Sequence, residues 1–166
     1  MTIILGIDPG SLKTGYGVIK YESKQVQHLA SGCIRLTADS FPQRMVQIFT
    51  VLSEVIEVYQ PDKAAIEQVF MAKNANSALK LGHARGVAMV AIARCGISVD
   101  EYAAKVIKKS VTGKGQANKE QVQYMVRLLL QLKTKLQEDQ ADALAVALCH
   151  ANHLSYTKTI NRAKGL

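Results

Sequence analysis

The sequence has no long apolar run. No segment approaches the roughly 18 consecutive apolar residues that a membrane-spanning helix needs. Apolar residues still make up 48% of the chain, an ordinary share for a globular protein. Cysteine is scarce. Cys33, Cys95 and Cys149 are odd in number and widely spaced, which argues against a disulfide framework and a zinc site. Reduced thiols in a cytosolic protein fit better. The first residues lack a basic segment, an apolar core and a small-residue cleavage site, so no secretory leader is expected. Acid is scarce in one region only. Residues 1–104 carry 10 Lys/Arg and 9 Asp/Glu, a net of +1, whereas residues 105–166 carry 11 and 4, a net of +7. Such a charge attracts polyanions, most commonly nucleic acid. The bland alternative is a set of lysines that only keeps the surface soluble.

The 166 residues suffice for one domain with a real core. Ile3–Ile7 does not alternate apolar with polar residues, the mark of a strand buried on both faces. The turn DPGSLKTG follows, punctuated by Pro9, Gly10 and Gly15. Tyr16–Tyr21 and Gln25–Leu36 read as two further strands joined by ESK. Apolar residues at helical spacing mark Ser40–Gln60, with Ser40 as N-cap and Pro61 as terminator. Lys63–Glu67 is a short strand, Asn76–Arg94 a helix and Ser98–Ala103 a fifth strand. KVIKKSVTGKGQANK predicts a short helical turn and then a mobile loop. Lys119–Leu132 and Asp139–His153 are the remaining helices. The expected α/β architecture is a five-stranded mixed sheet flanked by helices on both faces. It spans residues 1–154 as one unit, and the basic tail 155–166, without periodicity, is expected to fray.

Sites in such sheets form at the carboxyl ends of strands. Asp8 ends the first strand, where an acid is disfavoured, and Glu67 ends the fourth. If those strands are parallel neighbours, the two carboxylates emerge together. Asp139 and Asp142 are three apart on one helix, one turn apart on one face. Four converging carboxylates would repel and raise each other's pKa. Hard divalent ions, Mg²⁺ or Mn²⁺, relieve that repulsion. Such a cluster can hold two ions roughly 3.5–4 Å apart and direct an in-line attack on phosphate. Each acid also has a plain reading. Asp139 can be a helix cap, Asp142 a first-turn acid and Glu67 an exposed strand end. Their joint placement points to a metal-dependent nuclease.

GIDPGSLKTGYGVI, IEQVFMAKNANSALKLGHARG and QEDQADALAVALCH resemble, in order and over about residues 2–153, the motifs of the bacterial RuvC family of Holliday-junction resolvases. The resemblance implies a ribonuclease H-like fold. It implies that Asp8, Glu67, Asp139 and Asp142 are the catalytic, metal-binding acids, served by one or two Mg²⁺ ions per subunit, with Mn²⁺ able to substitute. It further implies a cytoplasmic homodimer acting in DNA recombination and repair. Each subunit would nick one of two strands of like polarity across a four-way DNA junction, leaving 5′-phosphate and 3′-hydroxyl ends. RuvA and RuvB, the branch-migration motor, are the implied partners.

Other residues then gain candidate roles. Phe70 lies in a polar loop after Glu67, where a phenyl ring can stack on an unpaired base or join a small core with Met71. Lys105, Lys108, Lys109, Lys114 and Lys119 can pair with phosphates. The resemblance points most directly at Lys108 and Lys119. Lys133 and Lys135 read as solvated surface. Ala78, Gly82 and Gly86 allow close approach of another helix, either in a dimer or on the protein's own sheet. Arg85 is placed against a phosphate or a partner subunit. Asn74 and Asn76 could touch DNA or cap the following helix, with Asn76 the favoured cap. His150 and His153 read as helix-surface residues. Three rival readings stand beside the resolvase. A sugar-kinase-like ATPase shares the opening strand, Asp and glycine turn but needs two such lobes. A non-catalytic junction-binding module would not need four acids. An RNA-processing nuclease would share them all.

Overall fold

The computed structural model describes residues 1–68 and 74–163, with side chains up to residue 155. Strands β1 (Thr2–Asp8), β2 (Lys13–Glu22) and β3 (Gln25–Arg35) form an antiparallel meander. Helix α1 (Phe41–Tyr59), β4 (Lys63–Glu67), α2 (Ala75–Ala93) and β5 (Val99–Tyr102) follow. The chain ends in α3 (Ala104–Thr112), α4 (Lys119–Leu129) and α5 (Glu138–Ala163). The sheet order is β3-β2-β1-β4-β5, and β4 runs parallel to both β1 and β5. The mixed sheet with helices on both faces is thus as expected.

Strand periodicity divides the core. Leu5, Ile7, Ala64 and Ile66 face α1 and α2, whereas Ile4 and Ala65 face α3, α4 and α5. Gly6 lies on the second face, and α5 lies directly on it. A Cβ at Gly6 would stand 2.3 Å from the Ala143 carbonyl oxygen, and one at Gly15 would stand 2.0 Å from that of Asp139. Those are impossible contacts, so the two glycines set how closely α5 approaches β1 and β2. That close seat is what brings the acids of α5 to the end of β1.

Four expectations are corrected. Residues 104–112 form a full nine-residue helix with Ile107 and Val111 buried one turn apart, closed by Gly113 at φ 77°. The link after it is fixed by Ala117, which is 4% exposed in the core, and by the Lys114 amide donating to Thr112 Oγ1 at 3.1 Å. The cap of α2 is Asn74, whose side chain accepts from the Ser77 amide at 2.8 Å, and Asn76 is already inside the helix. His150 is buried rather than on the surface. Helix α5 is wedged between the sheet and α3 and α4, and His150 shares the sheet-facing side of Ala143 and Ala147. There His150 Nδ1 pairs with the hydroxyl of Tyr102, at the end of β5, at 2.9 Å. Helix α5 also continues to Ala163, past the predicted end at His153.

Candidate active site

Ile7 pairs with Ile66 across the parallel β1–β4 ladder. Asp8 and Glu67, the next residues of each strand, therefore leave the sheet at the same end. Alternation from Gly6 and Ala65 places both on the α5 face. The turn after Asp8 is clipped by buried Thr14, whose hydroxyl accepts from the Gly10 amide at 3.3 Å and donates to the Gly10 carbonyl at 3.1 Å. A cleft of about 330 Å³ at this point is lined by Asp8, Glu67, Lys108, Lys119, Val122 and Asp142. Helix α3 supplies Lys108, and α4 starts at Lys119. The helix corrected above is thus what carries a lysine to the acids.

Asp139, a turn closer to the start of α5, lies on the other side of Asp8. It lines a larger groove of about 1110 Å³ that Asp8 shares. The Cys33 thiol donates to Asp139 Oδ2 at 3.5 Å, and Lys13 Nζ stands 4.0 Å from the same oxygen. The four acids therefore flank one strand end but do not meet at one point. Among the described residues no group of three or more His, Cys, Asp or Glu is drawn together closely enough to hold an ion.

The electrostatics show the strain of this arrangement. Burial, then the charges of Glu67, Asp142 and Asp139, push the Asp8 carboxyl from 3.8 up to about 8, against the pull of Lys119. Burial and Asp142 raise Glu67, while Lys108 and Lys119 lower it. Burial raises Asp142 as well, with Lys119 opposing it. Two lysines therefore offset only part of the negative charge. The donors are all carboxylate oxygens with uncompensated charge, which fits a hard divalent cation and not a soft one.

Lys119 itself is ion-paired with Glu138. Lys105 and Lys109 do not join the cleft. They border a separate hollow with Asn152 and His153. Lys114 is exposed on the link between α3 and α4. Phe70 and Met71 lie outside the described residues. Arg85 turns inward to Glu101 Oε2 at 2.6 Å. Gly82 and Gly86 do not pack on the sheet, since a Cβ at either would meet nothing within 4 Å. Ala84 and Ala88 take that buried side.

A meander followed by two parallel strands, with acids at the end of the central strand and on the helix crossing it, defines the ribonuclease H-like fold. The family model described as "Crossover junction endodeoxyribonuclease RuvC" matches residues 4–150, and the chain belongs to that family. The proteins of that name from Vibrio campbellii and Aliivibrio fischeri are 58% and 57% identical over 152 residues, covering 92% of this chain and 88% of theirs. The structure titled "T. thermophilus RuvC in complex with Holliday junction substrate" superposes with a TM-score of 0.88 at 31% identity, covering 95% of this chain and 97% of that one. The yeast mitochondrial Holliday junction resolvase Ydc2 shares the fold, with a TM-score of 0.70 at 16% identity over 94% of this chain and 80% of its own.

Proposed function

We propose that this chain is a crossover junction endodeoxyribonuclease. It nicks two strands of like polarity in a four-way DNA junction during recombination and repair, leaving 5′-phosphate and 3′-hydroxyl ends. The observation that carries this is the cleft where Asp8, Glu67 and Asp142 face Lys108 and Lys119. Asp8, Glu67, Asp139 and Asp142 are its metal-binding acids. Bound by these acids, one or two Mg²⁺ ions, or Mn²⁺, would supply Lewis-acid activation of water and positive charge for the leaving oxygen. The acids orient that chemistry from rigid elements, two on strands and two on a seated helix. Lys108 and Lys119 bind phosphate and offset charge that grows in the transition state. Phe70 stacks on an unpaired base, and Lys105, Lys109 and Lys114 hold phosphates farther out. The nuclease unit is residues 1–154, and 155–166 is a basic tail. RuvA and RuvB are the proposed partners and the bacterial cytoplasm the setting. No described helix is long and apolar enough to cross a membrane.

The test compares cleavage of a mobile four-way DNA junction, linear duplex DNA and structured RNA in Mg²⁺. Paired nicks confined to the junction are expected. Equal rates on all three would overturn the resolvase reading, and preference for RNA would make the chain a processing nuclease.

Two symmetric nicks need two sites, hence a homodimer. Support comes from the outer face of α2 and its neighbour α1. Val46, Leu79 and Val90 are 61%, 64% and 59% exposed around an apolar groove of about 660 Å³ that includes Gly82 and Gly86. A second copy of this surface covers it in the proposed dimer. Leu79→Asp is expected to halve the mass measured by light scattering while leaving the circular dichroism spectrum unchanged, because Leu79 lies outside the core. A variant that kept the full dimer mass would move the interface elsewhere.

A further inference from the structure

Beyond the cleft, the larger groove on the other side of Asp8 holds a cluster of cations that no role above uses. Lys13 opens β2 and Arg35 closes β3, and the two are Cα partners across the antiparallel ladder. Partners in a ladder point to the same face. Here that is the α5 face, because the pair two residues inward, Gly15 and Cys33, shares that face and meets Asp139 of α5. A bulge between Val18 and Ile19 creates this opposition. From the hairpin up to Ile19–His28 the paired numbers sum to 47, and beyond the bulge they sum to 48. Without that shift Lys13 would face the apolar Ile34.

Like charges directly opposite each other destabilise a sheet. Their compensation within the chain is thin. Lys13 stands 4.0 Å from Asp139, and no described carboxylate is ion-paired with Arg35. Both residues are exposed, and so is Lys135 on the opposite wall, where the link from α4 reaches α5. Asp8 lies at the head of this groove.

We propose that this groove is a track for the DNA strand beside the scissile phosphate. Lys13 and Arg35 hold backbone phosphates on one wall, and Lys135 meets the same strand from the other. The track rests on the nuclease reading of the cleft. It adds that the strand passes Asp8 with Lys108 and Lys119 on one side and the β2–β3 corner on the other. The cations are point contacts to phosphate and fix position, not sequence.

The test uses the full chain and a fixed four-way DNA junction in Ca²⁺, with affinity measured across a salt series. Lys13→Gln/Arg35→Gln is expected to weaken binding and make the slope of log K against log salt shallower by about 2, roughly one unit for each phosphate left without its cation. Adding Lys135→Gln should remove about one unit more. Lys24→Gln, at the far end of the same hairpin, should leave the slope unchanged. All three positions are exposed, and equal melting temperatures will show that the fold is kept. A double variant with the wild-type slope and affinity overturns the track. Wild-type protein that fails to prefer the junction over linear duplex DNA would instead overturn the parent reading.

Discussion

Replacing Asp8 with Asn is expected to abolish junction cleavage in Mg²⁺ while binding is retained. Asn keeps the shape and one carbonyl donor but removes the charge around which the site is organised. Asp8 is shared by the cleft and the groove, and Glu67, Asp142 and Asp139 all act on it. A loss of at least about a thousandfold, near 4 kcal/mol of transition-state stabilisation, is the expected scale. Affinity for the junction should hold or rise, because one negative charge beside the DNA phosphates is gone. Cleavage and binding must be read on the same preparation. Full Mg²⁺-dependent cleavage by the Asn variant would falsify the catalytic assignment. Loss of binding together with cleavage would show that Asp8 holds the fold instead.

The sequence made some of this legible for physical reasons. A non-alternating strand that ends in an acid is rare, so Asp8 stood out, and Asp139 and Asp142 had to share a helix face. The β1–β4 pairing was open until the register was seen, because residues about sixty apart carry no local pairing signal. Helix α3 was under-read because its surface is basic and only Ile107 and Val111 are buried. Their spacing and the Gly113 cap were the available signals. Gly15 reads from sequence as turn punctuation and Gly6 as one more residue of the first strand, and only the packed helix shows that they make room for it. His150 looked polar and exposed because α5 has too weak an apolar stripe to show that both of its sides are covered. Arg35 was passed over for a different reason. Counting back from the hairpin puts Lys13 opposite Ile34, and a one-residue bulge cannot be counted from the turn.

Metal-free protein is expected to lose stability as pH rises from 6.5 to 8, and Mg²⁺ is expected to restore it most at the upper end. Asp8 is pushed from 3.8 to about 8 in the folded state, and Glu67 and Asp142 are also raised. Between the two values the folded chain binds a proton that the unfolded chain has released. Stability therefore falls with rising pH by up to about 1.4 kcal/mol per unit for each such acid. For Asp8 alone this is about 2 kcal/mol over the chosen span, or roughly 4–8 °C in a chain of this length. The window lies largely clear of the other titrations. His28 and His150 are lowered from 6.5 and act with the opposite sign, mainly below the window and fading over its lower end. Cys33 and Cys149 are raised from 9.0 and Tyr102 from 10.0, so they act above it. A cation at the acids competes with protons, so its stabilisation should grow with pH. Asp8→Asn removes the largest of these titrations. Its melting temperature should be higher than wild type at pH 8 without metal, nearly flat across the window, and less responsive to Mg²⁺. Calorimetry at pH 6.5 and 8, with and without Mg²⁺, separates these outcomes. A wild-type melting temperature that rose with pH in metal-free buffer would mean that the carboxylates are not confined together as the cleft places them. An equal Mg²⁺ effect in wild type and variant would place the ion away from Asp8.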